Sequence, residues 1–172
     1  MKTIAKDVPN GTKAKSRTKP SNAGLEEAIA IAARAHKGQV DKGGAPYILH
    51  PLRLMMRMTS PEAQIAAVLH DVVEDTDWTI ERLREKGFSE AVIEAVEALT
   101  EREGEDYGNF VDRASSNQIA RRVKIADIED NMNLLRIDEL RPKDLARLER
   151  YHIHWRRLQK LNQEDQAHDN AH

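Results

Sequence analysis

The strongest constraint on this chain is the rhythm of its apolar residues. They recur at three- and four-residue steps, and no run of β-branched residues alternates with polar ones over a strand length. The punctuation agrees with helices. Ser60-Pro61-Glu62 places an N-cap serine, a proline at the first helical position and an acid on the positive end of the dipole. The helix that follows carries Ile65, Ala66, Leu69, Val72 and Val73. Thr79 caps a short helix that Gly87 ends, and Ser89 caps another through Val92, Ile93, Val96 and Leu99. Further helices are expected from about Asn22 to His36, after Pro51, around Phe110, and over 118–136 with Ile119, Val123, Ile125, Ile128, Met132 and Leu135. Pro142 opens the last one, with the stripe Leu145, Leu148, Tyr151 (or His152), Trp155, Leu158 and Leu161. The expectation is an all-α single domain of about eight helices.

The chain has 172 residues, enough for one sizeable core and too few for two ordinary ones. Its longest apolar run, Ala28 to Ala33, is six residues, against the roughly 20 that a membrane-spanning helix needs. There is no cysteine, which removes disulfides, thiolate metal sites and a cysteine nucleophile. The net charge of −2 and aromatic content of 4% argue against a nucleic-acid partner. Residues 1–20 carry six basic side chains against Asp7 alone, with Pro9, Gly11 and Pro20, and read as a mobile basic arm without a secretory h-region. Residues 162–172 read as a polar acidic tail, leaving a helical body at 21–161. A reducing cytoplasm is the expected location, and oligomeric state is not encoded.

Three segments carry chemistry. In Leu69-His70-Asp71-Val72-Val73-Glu74-Asp75-Thr76, a continuous helix would set residues 70, 71, 74 and 75 at about 0°, 100°, 40° and 140°, sharing one arc. Such groups facing a core are costly unless they bind a metal or one another; otherwise this is the solvated end of a helix. Asp127 lies between apolar Ile125 and Ile128, with Asn131 one turn on, and needs a partner: a metal, or Arg121 or Lys124 in a salt bridge. The run Glu129-Asp130 reads as solvent-facing charge. His50, between Leu49 and Pro51, is a structural histidine by itself. Together His50, His70, Asp71 and Asp127 make a two-His, two-carboxylate set suited to Mn²⁺ or Fe²⁺, with Mg²⁺ or Zn²⁺ as alternatives.

The pattern His…His-Asp…Asp resembles that of the HD-domain metal-dependent phosphohydrolases. Four segments narrow it: Ala35-His36-Lys37-Gly38-Gln39; Lys42-x-Gly44-x-Pro46-Tyr47-Ile48-x-His50-Pro51; Ala67-x-Leu69-His70-Asp71-x-x-Glu74-Asp75-Thr76; and Val123-Lys124-Ile125-Ala126-Asp127…Asn131. In this order they resemble the hydrolase domain of RelA/SpoT homologues, and the chain length is similar to the stand-alone small alarmone hydrolases. The resemblance makes 21–161 an HD phosphohydrolase domain. It implies that His50, His70, Asp71 and Asp127 hold one Mn²⁺, that Glu74 and Asp75 serve the attacking water, and that Lys42 and Asn131 meet a nucleotide polyphosphate. The implied reaction removes the 3′-pyrophosphate from alarmone nucleotides and leaves a nucleoside 5′-di- or triphosphate. Four carboxylates around one divalent ion would repel such a substrate without cations, for which Lys42, Lys124, Arg121 and Arg122 are candidates.

The departures cluster on the side that the resemblance assigns to the base. Asp41 stands where the family has an arginine that packs on guanine, and Ala45 replaces an acid. Ile128, Glu129-Asp130 and Asn133 replace a basic residue, Leu-His and an arginine. An adenine alarmone, or a 2′- or 3′-phosphorylated nucleotide such as NADPH, becomes an alternative substrate, and a non-catalytic alarmone sensor an alternative role. His36 is expected to pack near the site, and Trp78 and Trp155 to pack in the body.

Overall fold

The computed structural model describes residues 23–136 and 139–169, so the basic arm lies outside the described residues. The helices are α1 (Leu25–Ala35), α2 (Leu49–Met55), α3 (Pro61–Leu69), α4 (Val72–Asp75), α5 (Ile80–Glu85), α6 (Glu90–Leu99), α7 (Tyr107–Ser115), α8 (Gln118–Asn131) and α9 (Pro142–Asp169), with a 3₁₀ turn at Leu134–Arg136. No strand occurs among the described residues; one antiparallel bridge, Val40 to Pro46, closes the α1–α2 loop. The all-α expectation holds, and the expected number of helices is met when α3 and α4 count as one broken helix.

The start signals work as local chemistry requires. Ser60 Oγ accepts from the Ala63 N–H at 3.2 Å, Thr79 Oγ1 from Arg82 at 3.2 Å, and Ser89 Oγ from Val92 at 3.4 Å. Asp106 caps α7, and Asn117 Oδ1 accepts from the Ala120 N–H at 3.0 Å to start α8. Each such cap is worth about 1 kcal/mol. Gly87 ends its segment at φ +91°, a conformation that a Cβ would penalise.

Helix α3 is the centre of the bundle. It packs against α1, α2, α6 and α8, and Ala66, Ala67, Val68 and Leu69 are fully buried. Truncating Leu69 to alanine would cost about 2–5 kcal/mol. A second cluster, Val111, Ile125, Ile128 and Leu158 with Tyr107, Met132, Tyr151 and Trp155 around it, joins α7 and α8 to α9. Helix α8 therefore has apolar neighbours on two sides, and its polar residues sit in the seam between them.

Three expectations are corrected. Helix α1 starts at Leu25, after the extended Gly24. Helix α8 stops at Asn131, so Leu135 falls in the 3₁₀ turn and is 97% exposed; Leu145 is also exposed, because α9 meets the bundle further along, at Tyr151, Trp155 and Leu158. Most consequential is the break between α3 and α4. Asp71 has φ −97° and ψ −4°, so the His70-Asp71 pair does not follow one continuous helix. Consecutive side chains on a helix diverge by about 100°. The break turns Asp71 back and brings its Oδ2 to 2.9 Å from His70 Nε2. The segment from 162 onward is helical as far as Asp169.

Candidate metal centre

Four elements deliver the cluster. His50 comes from the first turn of α2, His70 from the end of α3, Asp71 from the break, and Asp127 from the middle of α8. Ligand atoms of His50, His70 and Asp127 all lie within 4.8 Å of one another. His50 Nε2 is 3.3 Å from Asp127 Oδ1 and 3.7 Å from Asp71 Oδ2. The structure thus brings together the four residues whose types and spacing suggested a metal.

Each of the four is anchored by a further group. His70 Nδ1 lies 2.9 Å from the Ala67 carbonyl, to which it donates, leaving Nε2 as the lone-pair nitrogen. His50 Nδ1 lies 2.7 Å from Asp130 Oδ2, and Arg53 grips the same carboxylate through Nε at 2.7 Å and Nη2 at 2.9 Å. The Tyr47 hydroxyl donates to Asp71 Oδ2 at 2.5 Å. Lys124 Nζ donates to Asp127 Oδ2 at 2.9 Å, and Asn131 Nδ2 to Asp127 Oδ1 at 2.6 Å.

The donor set fits a divalent cation. With its proton on Nδ1, the buried His70 Nε2 turns its lone pair toward Asp71 Oδ2 at 2.9 Å, an opposition of two acceptors that a metal ion between them would relieve. The electrostatics point the same way. Burial works against a charged His50 ring, yet hydrogen bonds to Asp127 and Asp130 hold it at about 9. Burial likewise opposes a charged His70, and Asp71 reverses that, so its pKa is raised. Asp127 is held far below the carboxylate range despite its burial, by Lys124 and His50. A site that draws protons onto two imidazoles attracts positive charge, and a metal ion competes for those positions.

Glu74 and Asp75 lie on α4, one turn beyond Asp71, and both are exposed residues. Glu74 Oε2 accepts from the Glu101 N–H at 2.9 Å. Partial burial raises the pKa of both carboxyls, with the Asp71 charge adding to each. Beside the cluster is a cavity of about 250 Å³ lined by Val40, Asp41, Lys42, Gly43, Tyr47, His50, Asn131, Asn133 and Arg147. Lys42 and Asn131 are therefore in it together. Lys42 is depressed by desolvation and by the nearby Arg147 charge, which marks two cations facing one space. Asp41 Oδ1 accepts from the Gly43 N–H at 2.9 Å and the Ala45 N–H at 3.0 Å, so this carboxylate shapes its own loop.

Several side chains were misplaced or missed by sequence reasoning. Asp130 is no solvent-facing charge; it is the hydrogen-bond partner of His50, with only 9% side-chain exposure. Lys124 is the salt-bridge partner of Asp127, under the ring of Phe110 at 4.4 Å, and is not placed to meet phosphate. Arg121 pairs with Asp165, and Arg122 lines a separate groove with Arg57. The second pocket cation is Arg147, on α9. The i,i+3 spacing of His50 with Arg53, and of Asp127 with Asp130, was the available signal for the Asp130 network; nothing local marks Arg147. His36 packs as expected, 4.9 Å from the Tyr47 ring, with Nδ1 at 2.8 Å from Gln39 Oε1. Trp78 packs against the core, and Trp155 Nε1 donates to Glu129.

Comparison with known proteins agrees with this geometry. The family described as HD domain matches residues 28–137. A protein of Aquifex aeolicus named guanosine-3′,5′-bis(diphosphate) 3′-pyrophosphohydrolase is 32% identical over 123 residues, covering 64% of this chain and 18% of its own length. A protein of the same name from Vibrio cholerae serotype O1 is 32% identical over 148 residues, covering 77% of this chain and 21% of its own. The chain thus spans about a fifth of the length of these relatives. A solved structure of a metazoan ortholog of SpoT, described as hydrolyzing ppGpp with a role in starvation responses, matches with a TM-score of 0.65 and 26% identity, over 84% of this chain and 88% of that one.

Proposed function

The chain belongs to the HD-domain family, and we propose that it is a Mn²⁺-dependent 3′-pyrophosphohydrolase of alarmone nucleotides, (p)ppGpp or an adenine analogue such as (p)ppApp. The observation that carries this reading is the juxtaposition of the His50, His70 and Asp127 cluster, in which the buried His70 Nε2 is turned to Asp71 Oδ2 at 2.9 Å, with a cavity faced by Lys42 and Arg147. A cation-seeking cluster next to a cationic pocket suits a polyphosphate. The family, and the relatives named for this reaction, support it.

His50, His70, Asp71 and Asp127 would hold the ion. When bound, a divalent cation acidifies water and screens phosphoryl charge. This chain's own groups do the rest. Lys42 and Arg147 bind the phosphates, and Asn131 and Asn133 face the nucleotide. Water adds to the phosphorus next to the ribose 3′-oxygen, the P–O3′ bond breaks, the 3′-oxygen takes up the proton that the water gives up and becomes a hydroxyl, and pyrophosphate is released. Glu74 takes the proton from the water. Its raised pKa makes it a stronger base than an ordinary glutamate, and the Glu101 N–H fixes its orientation. Asp75 sits beside it as the second carboxylate.

The test is pyrophosphate release by the protein with Mn²⁺, from guanosine and adenosine 3′-pyrophosphates side by side, with phosphate release from NADPH alongside. Release from guanosine substrates supports the reading with Asp41 tolerated. Release from adenosine alone means a changed base preference. Activity on NADPH alone moves the chain to a phosphatase, and silence on all three with Mn²⁺ bound makes it a non-catalytic binder.

A further inference from the structure

We propose that Asp130 and Arg53 form a positioning pair that sets the cation affinity of the cluster through His50. The proposal rests on the metal-centre reading above. Asp130 Oδ2 accepts a hydrogen bond from His50 Nδ1–H at 2.7 Å, which fixes the tautomer and leaves Nε2 facing Asp127 and Asp71. A carboxylate behind an imidazole makes the far nitrogen a better electron-pair donor. His70 has only a neutral carbonyl, that of Ala67, in the corresponding role. The two imidazoles are therefore unequal, and His50 is the stronger donor.

Arg53 makes this possible. Its fork binds both oxygens of Asp130, at 2.7 and 2.9 Å, which locks the carboxylate rotamer and offsets its charge. Without that cation, Asp130 would be a further acid close to Asp71 and Asp127. The arrangement is a two-rung ladder. On α2, His50 and Arg53 are three residues apart; on α8, Asp127 and Asp130 are also three apart. His50 meets both aspartates, and Arg53 meets the second. Ion affinity and the docking of α2 on α8 thus share the same four side chains. The resemblance places Leu-His where this chain has Glu129-Asp130, so the device belongs to this sequence rather than to the motif.

The experiment measures Mn²⁺ affinity of the full chain by calorimetric titration, with electron paramagnetic resonance counting free ion. Asp130→Ala should weaken binding about 10–100-fold. Asp130→Asn, whose amide oxygen still accepts from Nδ1, should weaken it less, and Arg53→Ala should also fall between wild type and Asp130→Ala. The double variant should bind no worse than Asp130→Ala, because Arg53 acts only through that carboxylate. Thermal melts of each variant separate lost affinity from lost fold. Should Asp130→Ala fail to fold, Asp130→Asn and Arg53→Lys carry the test. Wild-type affinity in folded Asp130→Asn and Arg53→Ala overturns the proposal while leaving the metal centre standing. No Mn²⁺ binding by the wild type, or undiminished binding by His70→Ala, overturns the metal reading itself and this proposal with it.

Discussion

Around the cluster each of the four acid and imidazole groups is anchored by a second group, whereas the facing loop at 40–45 is held by its own backbone. His50 rests on Asp130, His70 on a carbonyl, Asp71 on Tyr47, and Asp127 on Lys124 and Asn131. In the loop, Asp41 N–H donates to the Ala45 carbonyl at 2.8 Å and the Asp41 carboxylate closes the turn, while Lys42 extends exposed into the pocket mouth. A network of this kind tolerates little change, because losing one member strands another in a buried place. A self-contained loop can change its outward side chains without disturbing the core. This difference accounts for part of the pattern of departures: His50, His70, Asp71 and Asp127 match the motif while Asp41 and Asn133 on the pocket wall do not, and Asp130, a departure inside the network, comes with its own partner in Arg53.

The comparison is most strongly tested by Asp127→Ala. It removes a proposed ligand and leaves the buried Lys124 uncompensated, which costs about 3–5 kcal/mol. Turnover, Mn²⁺ binding and melting temperature should all fall. His70→Ala should abolish metal binding and turnover with a smaller drop in melting temperature; equal melting of the two variants would separate ligation from stability and undo the idea of an interlocked centre. Next in size, Glu74→Gln should retain Mn²⁺ and lose about 10²–10⁴-fold in turnover. In the wild type, a base raised above the ordinary glutamate value of 4.5 must be deprotonated to work, so the acid limb of the rate profile should lie above that pH. A limb at or below it would assign the water to another group.

On the pocket wall, Lys42→Ala and Arg147→Ala should each raise KM about tenfold, the loss of one charged contact, with Mn²⁺ affinity unchanged. A parallel loss of metal affinity would show that wall and centre are one unit. The smallest effect belongs to the loop that follows α6, where Glu105 accepts from the Arg102 N–H. Glu105, held at about 2 by its ion pair with Arg113, contributes stability above its unfolded value of 4.5 and loses it as pH falls toward 2. Acid titrations of thermal stability on Glu105→Gln should be flatter over that interval.

The cluster was legible because histidine and aspartate are conspicuous inside apolar stripes. The helices were legible from Ser60, Thr79, Ser89 and Pro142. The break at Asp71 was not, since neither glycine nor proline marks it and the partners of the turned side chain, Tyr47 and His50, come from the distant α1–α2 loop and α2. Asp130 was misread for a related reason. A second acid after Asp127 looks solvated until α2 is known to bring His50 and Arg53 against it. Lys124 was readable as one of two partners for Asp127, and only packing under Phe110 decides between it and Arg121. Arg147 joins Lys42 across most of the chain, a pairing that no local pattern contains.

The Lys124–Asp127 pair has an implication for how such a centre persists. Asp127, the proposed ligand, and its counter-charge Lys124 lie on one helix, a single turn apart. Their mutual geometry is set by the helix itself and does not depend on where its neighbours sit. Surrounding helices can tilt or slide as sequences diverge, and the charge balance at the heart of the site moves with α8 as a ready-made part. Drift in this fold is therefore expected to spare Lys124 and Asp127 themselves, while positions around them, Ile128 to Asp130 on the same helix among them, are free to change.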